Sequence, residues 1–251
     1  MLSKERQDII LKVLNQKKHV TTNYLSEKLY CSTSTVRREL IKLEERGLVE
    51  RFHGGVSLVP QTNLELPRVF REQKAVQEKK HICDLARIFI GDGFAMFLDA
   101  SSTVNILCNY LEDYSNLTIV TNGLKTALDV SMMSGLDVFF AGGEIKQSSN
   151  ATVGEFTNDF LNNFKMNISF ISCRGIDENG IYEANHAQAS VKQQMIKNSE
   201  KTILLCDDSK FNKSHFYKLT SFDNIDAIIT NKKPSKSLKK TIENAGSEVI
   251  W

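Results

Sequence analysis

Ser34, Arg37 and Arg38 lie in one short run, Cys31-Ser32-Thr33-Ser34-Thr35-Val36-Arg37-Arg38-Glu39-Leu40, and together they could read a polyanion. Guanidinium groups bond phosphate oxygens or the edge of guanine, and small hydroxyls bond either kind of acceptor. The spacing predicts how they are presented. Ser32 is a good helix N-cap. Val36, Leu40 and Leu43 recur at intervals of four and three, which makes one buried stripe. Ser34, Arg37 and Arg38 turn away from that stripe, with Thr33 and Thr35 in the first turn. A helix divided in this way fits a DNA major groove. Base contact and phosphate contact both remain open for the two arginines. Arg51 and His53, a little further on, are candidates for phosphate or minor-groove contacts.

A second set of residues suits a smaller anion. Asp99-Ala100-Ser101-Ser102-Thr103 closes one β-prone run, Thr121-Asn122-Gly123 a second and Ala141-Gly142-Gly143 a third. Hydroxyls beside free amides at a helix start suit a phosphate. Glycines let a ligand approach the backbone. Arg174 and Lys210 stand at further strand ends, and Lys192 lies on a helix between apolar positions. Each could supply positive charge to a phosphate or carboxylate. Open α/β sheets bind ligands beyond the carboxyl ends of their strands, where these residues fall.

The elements that must position the first set are three helices and a hairpin. The first helix spans Ser3 to about Gln16, with Ile9, Ile10, Val13 and Leu14 on its apolar side. Lys17, Lys18 and His19 break it. Thr21 or Thr22 caps the second helix, which turns Leu25 and Leu29 inward. The third runs from about Ser32 to Glu45, with Gly47 as its C′ residue. Leu48–Phe52 and Val56–Val59 flank His53-Gly54-Gly55 as a hairpin. The expectation is a winged helix-turn-helix over residues 1–59. Residues 60–73 read as a linker, with two of the three prolines at Pro60 and Pro67, and charged, helix-prone residues follow from Arg68 to about Ile90.

From 74 to 251 the texture alternates. Strands are expected at 94–99, 117–121, 136–140, 168–172, 202–207, 225–230 and 248–251, and helices at 103–111, 124–133, 154–163, 187–199 and 235–245. Such alternation predicts a mainly parallel sheet with helices on both faces, so the fold class is α/β.

Composition sharpens the division. The chain has 251 residues and a net charge of +2. Residues 1–60 hold 11 basic and 7 acidic side chains, a net of +4, and the remainder holds 21 and 23, a net of −2. Positive charge therefore gathers where phosphates would be met. The five cysteines are scattered, with no C-x-x-C pair and no histidine placed to complete a zinc site, so reduced thiols and no metal or cofactor are expected. No 18-residue apolar run is present, and Met-Leu-Ser-Lys-Glu-Arg-Gln-Asp is unlike a signal peptide, so a cytoplasmic protein without membrane contact is expected.

With these residues in place, the chain resembles the DeoR family of transcriptional regulators. The N-terminal likeness rests on Thr35-Val36-Arg37-Arg38-Glu39-Leu40, Leu43-Glu44, Gly47-Leu48 and His53-Gly54-Gly55. The C-terminal likeness covers roughly 70–231 and rests on Asp99 with Ser101-Ser102-Thr103, Thr121-Asn122-Gly123, Gly142-Gly143, Val153-Gly154, Gly175, Gly180, Val191-Lys192 and Asp208-Ser209-Lys210-Phe211. The resemblance implies a Rossmann-like sensor domain similar to ribose-5-phosphate isomerase. It implies a phosphorylated-sugar effector, a double-stranded DNA operator, a homo-oligomer (dimer or tetramer) and repression of a carbohydrate operon. Departures occur where Ser101-Ser102-Thr103 replaces the family's Gly-Thr-Thr, and where Arg174 replaces a small residue. Two rivals stay open: a phosphosugar isomerase or deaminase using Asp177 or His186, and a winged helix serving protein assembly. The likeness to the isomerases implies an acidic cluster near Ile171–Gly175, and here only Asp177-Glu178 follows, displaced into the next loop, which favours binding without turnover.

Overall fold

The computed structural model describes residues 2–17, 19–46, 48–52, 54–58 and 68–251. The chain divides into two compact units, residues 1–64 and 65–251. Each is described by itself.

The first unit contains α1 (Ser3–Lys17), β1 (His19–Thr21), α2 (Thr22–Leu29), α3 (Thr33–Glu45), β2 (Val49–Phe52) and β3 (Gly55–Leu58). Thr21 caps α2, its hydroxyl accepting the Tyr24 N–H at 3.2 Å. Ser32 caps α3 by accepting the Thr35 N–H at 3.3 Å. Ile10, Leu14, Leu25, Leu29, Val36, Leu40, Leu43, Leu48 and Val56 fill the core at 2% exposure or less. The helix stripes read from sequence are therefore the buried faces. His19–Thr21, expected only as a break, pairs antiparallel with Gly55–Ser57 and adds a third strand to the wing. Three residues are too few for a period to show. Gly55 is needed there, because a Cβ would run into the Phe52 ring and the Val20 carbonyl. Gly47, His53 and Val59–Pro67 lie outside the described residues.

The second unit opens with α4 (Arg68–Gln73) and α5 (Val76–Ala86). Both fall in the helix-prone stretch that starts at Arg68, and α4 is docked through Arg68, whose guanidinium donates to the Ala100 carbonyl at 2.6 Å. Then follow β4 (Ala95–Leu98), α6 (Ser102–Leu107), β5 (Leu117–Thr121), α7 (Leu124–Ser131), β6 (Leu136–Phe140), β7 (Glu144–Lys146), β8 (Ala151–Val153) and α8 (Glu155–Asn162). The chain continues through β9 (Met166–Ser172), β10 (Gly175–Asp177), β11 (Gly180–Glu183), α9 (His186–Lys197), β12 (Ser199–Leu205), β13 (Tyr217–Thr220), β14 (Ala227–Ile229), α10 (Lys236–Asn244) and β15 (Glu248–Ile250). α6 is shorter than expected and gives way to a tighter 3-10 turn at Cys108–Asp113.

Seven strands form one sheet in the order β15-β14-β12-β9-β4-β5-β6, and every pairing in it is parallel. Both faces are covered. Met96 and Leu98 of β4 point into one core with Ile82, Val104 and Val130, from α5, α6 and α7. Phe97 between them points into the other, with Leu161, Met195 and Leu238, from α8, α9 and α10. A parallel sheet buried on both sides requires such continuous apolar strands. Truncating fully buried Phe97 to alanine should cost about 3–5 kcal/mol. The hairpin β7–β8 and the small antiparallel sheet β10-β11-β13 were not anticipated, being runs of three or four residues rich in polar side chains. Four of the five free cysteines are buried, and Cys31 is half-buried.

Candidate functional site

On the first unit, α3 presents Ser34, Arg37 and Arg38 to solvent, and exposed Ile41 extends the same face. Thr33 and Thr35 are half-buried in the first turn. The Ser32, Ser34 and Thr35 hydroxyls are joined at 2.8 and 3.0 Å, so the start of the helix is pre-ordered. Neither arginine forms a hydrogen bond or ion pair among the described residues. Both guanidinium groups are thus available to an external anion. Arg51 differs: it is bound to the Glu44 carboxylate at 2.6 Å, and its own amide donates to the same group at 3.2 Å. His53 falls outside the described residues.

Glu39, between the two faces of α3, was missed by the sequence reading. It is 2% exposed and accepts from Ser3 Oγ at 2.6 Å, Gln7 Nε2 at 2.8 Å and Arg6 Nη2 at 2.6 Å. Burial alone would raise its carboxyl pKa, but these donors pull it down to about 2. The network fastens α3 to α1 and so fixes the direction in which Arg37 and Arg38 point. The signal was present, because Glu39 lies on the stripe side between Val36 and Leu40.

On the second unit every strand of the main sheet is parallel, so the carboxyl ends share one rim. Asp99 sits fully buried at its middle. One carboxylate oxygen accepts the Ser101 N–H at 2.8 Å, and the other accepts the Ser172 N–H at 2.9 Å. Lys192 lies 3.1 Å from Asp99, pairs also with Glu183, and donates to the Ser172 carbonyl at 2.5 Å. Burial by itself would lower the Lys192 pKa, but the two carboxylates push it up. Lys192 is therefore an internal tie, fully committed to protein groups. Lys210 donates to Ser172 Oγ at 2.8 Å and lies 3.6 Å from Asp207. Ser172 thus joins Asp99, Lys192 and Lys210.

Asp99, Glu183 and Asp207 converge here from distant parts of the chain, each beside a lysine. Asp177 instead accepts the Asn179 N–H at 2.8 Å in the β10–β11 turn, and His186 stacks edge-on against Tyr217 at 5.0 Å. Neither has a hydrogen bond or ion pair to Asp99, Lys192 or Lys210.

The other predicted residues follow along the rim. Ser101 caps α6 by accepting the Val104 N–H at 3.1 Å, and Thr103 is buried beside it. Gly123 abuts Ala100 so closely that a Cβ would come within 2.9 Å of the Ala100 Cα. Asn122 donates to the Thr152 carbonyl at 2.8 Å, while its Oδ1 is buried without a partner. Gly142 is exposed, and its carbonyl accepts from Thr157 at 2.7 Å. Gly143 has φ +138, and a Cβ there would strike Thr157. Arg174 is half-buried, and its Nε has no partner.

Two further cations were missed. Lys79 of α5 is 4% exposed; it donates to Ser102 Oγ at 3.0 Å and to the Arg71 carbonyl at 2.5 Å, and it forms no ion pair among the described residues. Burial first, then the charges of Lys210, Arg71 and Lys74, press its pKa down to about 8 against the pull of Asp207. Arg68 is 2% exposed and has a buried Nη2 with no partner. Lys79 shares the buried stripe of Ile82, Cys83 and Ala86, and that spacing was its signal in the sequence. Arg68 pairs with Glu72 at 2.7 Å, so the rim combines hydroxyls and exposed glycine backbone with two cations, Lys79 and Arg174, that have no ion pair among the described residues, an arrangement that can hold an anion.

Residues 6–62 match the DeoR-like helix-turn-helix domain, and residues 74–232 match the DeoR C terminal sensor domain. The chain is 30% identical to the glycerol-3-phosphate regulon repressor of Escherichia coli K12 over 243 residues, covering 96% of each. It is 30% identical to the HTH-type transcriptional repressor GlcR of Bacillus subtilis over 251 residues, all of this chain and 96% of that one. It is 31% identical to the L-fucose operon activator of Haemophilus influenzae over 241 residues, covering 95% of this chain and 96% of that one. Among solved structures, a ribose-5-phosphate isomerase in complex with phospho-erythronic acid is similar over 54% of each chain, with 14% identity and a TM-score of 0.41. Among the described residues no helix is long and apolar enough to cross a membrane. The two matched domains, in this order and over most of the chain, make it a member of the DeoR family of DNA-binding transcriptional regulators.

Proposed function

We propose that this regulator is a cytoplasmic repressor of a carbohydrate-metabolism operon, released or engaged by a phosphorylated sugar. Arg37 and Arg38, with Ser34 and the threonines of the first turn, enter the operator. The effector phosphate is held at the rim by Lys210, Lys79 and Arg174 with Ser101, Ser102, Asn122, Gly123, Gly142 and Gly143. Asp99 and Lys192 hold the loops in place from beneath. Two or four copies are needed to address a two-fold operator, with half-sites about one helical turn apart.

The observation that carries this reading is the imbalance of charge at the rim. Lys79 has no carboxylate partner, and Arg174 has a buried Nε without an acceptor. A buried charge without a counter-charge is costly, and a phosphate dianion would relieve it. The relatives' names support a carbohydrate operon: two are called repressors, one of a glycerol-3-phosphate regulon, and one an activator of an L-fucose operon. The effector acts only by binding the DNA-competent and DNA-released conformations with different affinity.

A thermal-shift screen of pentose and hexose phosphates against the full chain tests the reading. A bound effector raises the melting temperature by mass action, and the unphosphorylated sugar should not. A screen in which no phosphorylated sugar shifts the melt would defeat it.

A further inference from the structure

The seven-stranded sheet has two edges, and they are finished differently. β15 is three residues long, and Lys233 and Lys239 place their ammonium groups 5.3 and 4.7 Å from the ring of the adjacent Trp251. Short strands and lysines are how natural sheets protect an edge from pairing. β6, at the opposite edge, is five residues long and reads Leu136-Asp137-Val138-Phe139-Phe140, with no lysine, proline or bulge.

Its outward backbone is unused. The Ala141 N–H donates to the Thr121 carbonyl at 2.9 Å, so by alternation Phe139 and Asp137 direct their backbone groups toward β5. Those of Leu136, Val138 and Phe140 therefore point away from the sheet. No hydrogen bond among the described residues takes them up. Both flanks of this edge are apolar. On one face Phe139 packs against Phe164 at 5.5 Å, Phe164 against Phe160 at 5.1 Å, and Phe156 lies one turn earlier on α8, 83% exposed. On the other face α7 runs along β6 and exposes Leu128 and Met132, four residues apart, the latter at 87%. The charges beside them, Lys125 and Asp129, pair with each other at 2.7 Å.

We propose that β6 is a self-pairing edge, on which a second copy of this chain docks antiparallel about a two-fold axis through Val138, so that the two sheets become one. In that register Val138 faces its own counterpart, and Leu136 faces Phe140 of the second copy. Every outward amide then meets an outward carbonyl. Asp137, the only charge in the strand, falls opposite Phe139 rather than opposite itself, so like charges do not meet. The α7 pair and the α8 phenylalanines of both copies close over the joined strands. A patch that is complementary to itself in this way fits an isologous contact better than a foreign partner. The proposal rests on the oligomeric reading above and names its surface.

Sedimentation velocity of the full chain over a concentration series tests it. The wild type should sediment as a dimer or a multiple of one. Leu128→Lys with Met132→Lys should weaken the two-fold contact at least about tenfold, a loss of ~1.4 kcal/mol, and reduce the mass by half. A far-ultraviolet circular dichroism spectrum unchanged from wild type shows that this variant is folded, its melt falling only by the lost association. Val138→Pro, which removes an outward N–H, should do the same, and if it fails to fold the lysine variant decides alone. Ile88→Lys, at an exposed site elsewhere, should change nothing. A wild type that stays monomeric overturns both the oligomeric reading and this interface. An oligomer that persists undiminished in the folded variants overturns the β6 interface alone.

Discussion

The Lys79 ammonium lies 3.0 Å from the Ser102 hydroxyl, buried at the rim without a carboxylate partner. An anionic ligand would supply the counter-charge it lacks. Lys79→Met should therefore reduce sugar-phosphate affinity about 10–100-fold, the worth of a charge-assisted hydrogen bond of ~1.5–3 kcal/mol. DNA affinity without effector should be unchanged, and the melting temperature should hold or rise. Calorimetric titration and operator binding, run side by side, check both halves.

The same lysine sets a pH dependence. Its folded pKa is about 8, below the ordinary 10.5, with Lys210, Asp207, Arg71 and Lys74 as the neighbouring charges. The unfolded chain thus binds the extra proton between about pH 8 and 10.5, and this group makes stability rise with pH across that window. A bound phosphate favours the ammonium and lifts its pKa, so effector binding takes up a proton. Effector affinity should fall as pH rises through 8, by at most about tenfold per pH unit from this group. Lys79→Met should flatten that slope, as read by titration in buffers of different ionisation enthalpy.

Arg37→Ala removes an exposed, unpaired guanidinium from the outer face of α3. Operator affinity should drop by about 1–3 kcal/mol if the group reads a base edge. If it holds a phosphate, the salt slope should fall by about one unit and all sequences should weaken together. Effector binding should not change in either case. Fluorescence anisotropy against specific and scrambled duplexes at several salt concentrations distinguishes the two roles.

Glu39 anchors α3 to α1. Its carboxyl is held at about 2 in the fold against 4.5 ordinarily, so its contribution is complete above pH 4.5 and is lost as pH falls toward 2. Glu39→Gln should destabilise the first unit by about 1–3 kcal/mol at neutral pH, and by progressively less in acid. Hydrogen exchange of α1 and α3 amides at pH 7 and pH 4 reads the loss locally.

Lys192→Met would leave Asp99 and Glu183 buried without their cation. A broken buried pair of this kind costs about 3–5 kcal/mol, so the second unit should melt at much lower temperature. Lys210→Ala leaves one buried carboxylate, Asp207, which still accepts from Ser209, so it should lower the melt less than Lys192→Met does and should lose the effector response. Differential scanning calorimetry of the two variants separates the tie from the ligand contact.

The sequence showed most where a long period was at stake. The stripes Leu25/Leu29 and Val36/Leu40/Leu43 are the buried faces of α2 and α3, and the strands at 117–121 and 136–140 fall where the apolar runs put them. Short antiparallel strands left no readable period: His19–Thr21 and Gly175–Asp177 are three residues each, and the first forms only on a partner distant in sequence. Asp99, Asn122 and Gly123 were legible as strand-end residues, but what each one touches was not. Lys192 looked like a cation open to ligand and is a buried tie, because Glu183 reaches it from a separate strand. Lys79 falls in the charged, helix-prone stretch from Arg68 to about Ile90, and only the fold shows that it shares the buried face of Ile82 and Cys83.

The most direct test of the account is operator affinity measured with and without each sugar phosphate that raises the melting temperature, on wild type and on Lys210→Ala. A change of about 5–150-fold in the wild type, corresponding to ~1–3 kcal/mol of coupling, and none in the variant, is the predicted result. A phosphorylated sugar that binds the rim and leaves wild-type operator affinity untouched would contradict it.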